Sequence, residues 1–168
     1  WGEHRENVAA QASSTFEQVL TNATANQTDM VVQQVNVLKD DFGSTPYAAL
    51  GSLVAAKALY EAGKTPEAIA ALQETIKQAP DPALARIAAL RLARIQVAEG
   101  QLDAAAKTIA AHDKSTAFAG EFAAVRGDIA AARGDQAAAR TAYEQAIEKG
   151  SGLSQLLRLK LDNLPSAS

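Results

Sequence analysis

The strongest constraint on the fold of this chain is a short spacing that recurs three times. In the segment ARGDQAAARTAY, a glycine is followed by an alanine five residues later and by a large side chain nine residues later. The glycines of the three copies are 37 and then 34 residues apart. A period near 34 residues predicts an array of helical hairpins. The three copies are Gly63/Ala68/Leu72, Gly100/Ala105/Ile109 and Gly134/Ala139/Tyr143.

This spacing is a packing pattern, and it predicts no catalytic chemistry. The glycine ends one helix, because it adopts the left-handed conformation at low cost. The alanine lies where the following helix crosses the preceding one, so that only a small side chain fits. One turn later on the same face, the large residue fills the space beside the crossing.

Composition supports an all-α fold. Apolar residues make up 48% of the 168 residues and aromatic residues only 5%, and many of the apolar residues are alanine, the strongest helix former. Strictly alternating β-branched runs are missing, which argues against strands. The expected helices lie near residues 2–22, 28–42, 46–62, 66–79, 82–99, 102–112, 116–133, 136–149 and 152–163.

Helix boundaries are marked by capping residues. Thr45, Thr65 and Asp81 each precede a proline, which predicts an N-cap followed by proline at the first helical position. The three repeat glycines, and Gly150 after the eighth expected helix, mark helix ends.

Charge and residue usage argue against several classes of function. The net charge is −3 with the basic residues scattered, whereas a nucleic-acid-binding protein needs a basic face. There is no cysteine, and the two histidines, His4 and His112, belong to no ligand cluster. We therefore expect no enzyme activity, no cofactor and no metal. No run of 18 apolar residues is present to span a membrane.

The repeat resembles the tetratricopeptide repeat (TPR). In residues 49–82, the small turn residue Gly63, the small crossing residue Ala68, the large residue Leu72 and the closing Pro80 fall at the positions where that repeat places them. The early aromatic positions of the repeat hold no tryptophan or tyrosine, so the units are TPR-like. The expected fold is all-α, with about three hairpins in a short right-handed superhelical array.

A more specific resemblance is carried by three blocks in order: STPYAALGSLVAAKALYEAG, ARIAALRLARIQVAEGQLDAA and FAAVRGDIAAARGDQAAARTAYEQAI. These blocks are similar to the YfgM-like family, the ancillary subunits of the bacterial SecYEG translocon. The resemblance implies a periplasmic domain of a single-pass inner-membrane protein, anchored N-terminal to Trp1. It also implies SecYEG, a membrane-anchored prolyl-isomerase-like (PpiD-like) periplasmic chaperone and exported polypeptides as partners.

The expected organisation is a single TPR-like domain over residues 1–168. Its N-terminal helices occupy 1–45, the repeat units 46–82, 83–119 and 120–153, and a C-terminal helix with its tail 154–168.

The candidate site is a protein-binding groove lined by the first helix of each hairpin. Lys57 and Arg94 are the most informative positions, because charges among apolar neighbours would orient a bound polypeptide. Core burial is the alternative for Leu53, Leu90 and Val97. By analogy with the repeat, the groove residues are Leu53, Lys57, Tyr60, Leu90, Arg94, Val97 and Glu121, with Ala124 and Asp128 on the same face.

Two functions stay open at this point. The first is a non-enzymatic interaction module that helps pass exported polypeptides to periplasmic chaperones. The second is a structural TPR scaffold for self-assembly or one fixed partner, with the groove filled by residues 1–42. Two Arg-Gly-Asp triplets, at 126–128 and 133–135, suggest adhesion, but repeat packing explains both.

Overall fold

The computed structural model describes residues 1–166, and this part of the chain consists of helices and the turns between them. The all-α prediction is confirmed, and the predicted helix bounds agree with the structure to within three residues. The final two residues of the predicted segment 154–168 lie outside the described residues. The helices are α1 (Gly2–Thr24), α2 (Thr28–Asp41), α3 (Pro46–Glu61), α4 (Thr65–Gln78), α5 (Pro82–Ala98), α6 (Leu102–His112), α7 (Ala119–Ala132), α8 (Gln136–Lys149) and α9 (Ser154–Asp162).

The chain forms two compact units, Trp1–Ala88 and Ala89–Ser168, with the boundary inside α5. The expectation of a single domain over the whole chain stays a prediction.

In the N-terminal unit, α1 and α2 pack on each other and on α3, and α3 packs on α4. The contact between α2 and α3 is close at Gly51, where an added Cβ would lie 2.8 Å from the Leu38 side chain. Small residues on α3 therefore let α2 approach its backbone. The core of α1, α2 and α3 is made of Ala12, Val19, Val31, Val35, Leu38, Ala48 and Ala55.

The C-terminal unit has two apolar clusters that meet at α7. One cluster joins the second half of α5 to α6 and α7, and includes Leu90, Ile109 and Phe122. The other joins α7 to α8 and α9, and includes Tyr143 and Leu157. Helix α7 is therefore buried on most sides, which explains its high content of small and apolar residues.

The packing role of the repeated spacing is confirmed. The crossing alanines Ala68, Ala105 and Ala139 are each 0% exposed. The large residues one turn later are also buried, with Leu72, Ile109 and Tyr143 at 1%, 2% and 3% exposure. The three turn glycines have φ angles of +76° to +81°, as a left-handed helix end requires.

The predicted N-caps are confirmed only in part. The Asp81 carboxylate accepts a hydrogen bond from the backbone N–H of Ala83 at 2.9 Å, as a cap should. Thr45 precedes α3, but its hydroxyl donates to the carbonyl of Phe42 at 2.7 Å instead of accepting from the helix. Thr65 is wrong as an N-cap, because α4 already includes it and Lys64 occupies the cap position.

Two further helix starts differ from expectation. Helix α7 begins at Ala119, three residues late, because Phe118 has a left-handed φ of 59°. Helix α8 has an N-cap that was not predicted from the sequence. The Asp135 carboxylate accepts a hydrogen bond from the backbone N–H of Ala138 at 3.0 Å.

Candidate functional site

The predicted groove residues of the N-terminal unit lie on one face of α3. Leu53 is 4% exposed, so its side chain belongs to the protein interior. Tyr60 is half-buried, and the side chain of Lys57 is 72% exposed, with Nζ 3.9 Å from Glu61 Oε1. Such an exposed pair holds the lysine weakly, so Lys57 can contact a partner.

The N-terminal helices pack on a different face of α3. Their core includes Ala48 and Ala55, and Gly51 lies between these two on the same face. At 3.6 residues per turn, this face points roughly opposite to the one that carries Lys57. Within this unit, α1 and α2 therefore leave the predicted groove face of Lys57 uncovered.

In α5, the predicted groove residues divide between core and surface. Leu90 is 4% exposed and lies in the core with Phe122, so the core alternative describes its side chain. Val97 is half-buried against the same cluster. Arg94 is exposed, so its charged side chain lies on the surface of α5.

The predicted groove face of α7 is largely covered by α8 and α9. Glu121 is half-buried, and Ala124 is 5% exposed in the cluster that contains Tyr143 and Leu157. In the third repeat, helix α9 therefore occupies the position predicted for a bound polypeptide.

A polar cluster holds this covered face together. The Tyr143 hydroxyl donates to Asp128 Oδ1 at 2.6 Å, and Lys160 Nζ from α9 donates to the same oxygen at 2.7 Å. Lys160 Nζ also lies 5.8 Å from the centre of the Tyr143 ring. Burial, reinforced by the hydrogen bond to Asp128 and the charge of that carboxylate, raises the pKa of Tyr143 well above its ordinary value.

The two Arg-Gly-Asp triplets have packing roles, as the repeat interpretation predicts. Arg126 donates to Asp113 at 2.9 Å, and an added Cβ at Gly127 would overlap the Tyr143 ring. In the second triplet, Arg133 donates to Asp103 at 2.7 Å, Gly134 makes the left-handed turn, and Asp135 caps α8.

Sequence reasoning missed an open depression in the C-terminal unit, with a volume of about 320 Å³. We call it the α6–α8 trough, because α6 and α8 form its walls and α7 its floor. Its lining residues are Ala106, Ile109, Ala110, Asp113, Arg126, Ile129, Ala130, Arg133, Asp135 and Ala138. The repeat pattern predicts which residues are buried between helices, but not the width of the gap left between two walls.

Catalytic constellations are not visible in the part of the chain that the structure describes. Residues 1–166 hold no group of three or more His, Asp or Glu side chains placed to bind a metal ion. His4 is exposed near the start of α1, and His112 is half-buried at the end of α6.

Comparison with known proteins gives the family. A family profile described as a tetratricopeptide repeat-like domain matches residues 1–166. The ancillary SecYEG translocon subunit of Haemophilus influenzae is 34% identical over 169 residues, covering 98% of this chain and 80% of the relative. This chain belongs to that family.

Two other members give the same result. The ancillary SecYEG translocon subunit of Aggregatibacter actinomycetemcomitans is 33% identical and that of Escherichia coli strain K12 is 29% identical. Each alignment covers 98% of this chain and about four-fifths of the relative. The predicted membership of the YfgM-like family is therefore confirmed. No solved structure matches the chain.

The family assignment agrees with the helical repeats of the structure. Between residues 1 and 166, no helix combines the length and the apolar character needed to cross a bilayer.

Proposed function

We propose that this chain is a non-enzymatic protein-interaction module of an ancillary translocon subunit, which helps pass exported polypeptides to periplasmic chaperones. The observation that carries this proposal is the match to three ancillary SecYEG translocon subunits over 98% of the chain. The proposed partners are SecYEG, a membrane-anchored PpiD-like prolyl-isomerase chaperone and exported chains. The proposed location is the periplasmic side of the inner membrane, with an anchor N-terminal to Trp1.

Each of the two units is proposed to contact polypeptides through its own predicted groove positions, centred on Lys57 in the first unit and on Arg94 in the second. Lys57 and Arg94 keep their side chains in solvent, next to the half-buried Tyr60 and Val97. In each unit, the half-buried aromatic or aliphatic side chain can supply contact area, while the neighbouring cation orients a chain through its carbonyl or carboxylate oxygens. Leu53 and Leu90, on the same two helices, are buried.

The second candidate is a scaffold without a client-binding groove. One observation favours it: the predicted groove face of α7 is covered by α9, through Leu157 and the Lys160–Asp128 ion pair. In that case the array would hold one fixed partner through other surfaces. Helix α9 covers only the predicted groove face of α7, while Lys57 on α3 and Arg94 on α5 stay exposed. The interaction module therefore stays the first proposal.

Photo-crosslinking in cells tests the proposal. A photoreactive amino acid is placed at Lys57 or Arg94, and at the exposed Glu144 on α8 as a matched control. We expect crosslinks to the chaperone or to exported chains from the first two positions and a much lower yield from Glu144. Equal yields from all three positions would exclude this surface, and crosslinks to a single fixed protein throughout would favour the scaffold.

A further inference from the structure

Helix α9, the last helix of residues 1–166, is apolar on its outer face. Its inner face is defined by Leu157, which is 1% exposed and packs against α7 and α8. Leu156 and Leu159 lie on the other side of the helix at 46% and 56% exposure, and Leu153, at its start, is 38% exposed. We call these three exposed leucines the α9 stripe. A repeat array normally ends in a polar outer face, which keeps it soluble, so an apolar stripe at this position indicates a binding surface.

Two polar side chains beside the α9 stripe have no partner within residues 1–166. Gln155 and Asp162 are exposed, and neither forms a hydrogen bond or an ion pair with another described residue. They are seven residues apart, which places both on the same side of the stripe and near opposite ends of the helix. One end of the stripe therefore offers an amide donor, and the other end offers a carboxylate acceptor.

The two ends of α9 also have complementary electrostatic character. At the N-terminus, Leu153 occupies the cap position and no side chain caps the first N–H groups. Asp162 is the last residue of the helix, where the negative end of the helix dipole disfavours an anion. In an antiparallel pair of α9 helices, each Asp162 would instead lie near the positive N-terminal end of its neighbour.

We propose that the α9 stripe binds the α9 stripe of a second copy of this chain, with the two helices antiparallel about a twofold axis. Leu156 of each copy then lies opposite Leu159 of the other. Such an axis places the same side of both stripes together. Gln155 of one copy therefore comes beside Asp162 of the other, offset by about 3 Å along the helix axis. Each amide can donate to the facing carboxylate, whereas a parallel pair would keep these groups apart.

The small size of the α9 stripe determines how strongly the two copies pair. Three partly exposed leucines from each copy form a contact smaller than the roughly 1,200 Å² that a stable complex buries. We therefore expect a weak, reversible dimer with a dissociation constant on the order of 0.1–1 mM.

Sedimentation equilibrium of the whole chain measures this dimer at concentrations up to about 2 mM. Leu156→Gln combined with Leu159→Gln should weaken the dimer at least about tenfold, because the apolar contact is lost from both copies. The matched control is Met30→Gln combined with Val37→Gln, which removes two side chains of similar exposure, 47% and 43%, from α2. This control should leave the dimer unchanged. Thermal melts check that all variants fold like the parent.

Substitutions at Gln155 test the polar contact across the pair. Gln155→Lys should strengthen the dimer about fivefold, because each ammonium group then faces Asp162 of the other copy. Gln155→Glu should weaken it by a similar factor, because two carboxylates then face each other. Opposite effects of the two variants distinguish a specific pairing from a general hydrophobic association.

Cysteine crosslinking tests the antiparallel arrangement, since the chain has no cysteine of its own. Leu156→Cys and Leu159→Cys are prepared as separate variants and oxidised alone or as an equal mixture. We expect the mixed disulfide to form faster than the disulfide of either variant alone, because residue 156 of one copy faces residue 159 of the other.

Three results would overturn the proposal. They are a chain that stays monomeric up to about 2 mM, a dimer that survives loss of both leucines, and faster disulfide formation within a single variant than in the mixture. A monomeric chain would leave a helix of a different protein as the occupant of the stripe. The proposal uses neither Lys57 nor Arg94, so it fails or succeeds independently of the proposed function.

Discussion

The ring of Tyr143 lies against the backbone of Gly127, so closely that a Cβ at residue 127 would overlap its Cδ1 and Cε1 atoms. The contact joins α7 to α8 and positions the Tyr143 hydroxyl against Asp128. The glycine of the first Arg-Gly-Asp triplet is thus a requirement of helix packing.

Replacing this glycine tests the contact directly. Gly127→Ala should lower the free energy of unfolding by about 1–3 kcal/mol, because the added methyl group displaces a buried ring. Chemical denaturation measures the change. Ala132→Gly, at an exposed position near the end of α7, is the control and should cost no more than about 1 kcal/mol. A Gly127→Ala variant as stable as the parent would contradict the close contact.

The crossing alanines make a second prediction. Ala68→Leu and Ala105→Leu should each destabilise the chain by about 1–3 kcal/mol, since both positions are 0% exposed at a helix crossing. Matched controls are Ala70→Leu and Ala111→Leu, which lie on the exposed faces of the same helices. These controls should melt like the parent. Four equal melting temperatures would show that the alanines do not set the helix separation.

Stability at alkaline pH should depend on Tyr143. Its pKa is higher in the folded chain than in the unfolded chain, so the folded state holds the phenolic proton more tightly. The stabilising effect is complete below pH about 10, the ordinary tyrosine pKa, and is lost as pH rises above it, with a slope near 1.4 kcal/mol per pH unit. Denaturation between pH 9 and 11 measures that slope. Tyr143→Phe should reduce it, and an unchanged slope in Tyr143→Phe would refute the assignment.

Charge reversal tests the proposed groove. Lys57→Glu combined with Arg94→Glu should reduce capture of the PpiD-like chaperone, because the cation proposed to contact a polypeptide in each unit becomes an anion. Folding should be preserved, since both side chains are exposed and such changes cost no more than about 0.5 kcal/mol each. Pull-down and thermal melting are measured in parallel, with Arg140→Glu as the matched control. Full capture by a normally folded double variant would place the site elsewhere.

Local sequence features determine the helices and their pairing. Gly63, Gly100 and Gly134 predict the turns, because few other residues adopt a positive φ cheaply. Buried alanines and large residues at fixed offsets follow from the same spacing, since side chains four residues apart share a helix face. Family membership also follows from the sequence, because the blocks carrying the resemblance are themselves packing patterns. The N-cap prediction fails at Thr65. Although threonine is suited to capping, Thr65 lies inside α4 because Lys64 occupies the N-cap position.

Only the tertiary structure determines which faces stay accessible. The sequence places Leu90 and Arg94 on one predicted groove face, but burial depends on neighbouring helices and separates a core residue from a surface one. Likewise, Lys160 and Asp128 are 32 residues apart, and their contact exists only because α9 folds back onto α7. The α6–α8 trough arises from the distance between two helices packed on a third. That distance is a property of three-dimensional packing, which depends on contacts between side chains far apart in the sequence.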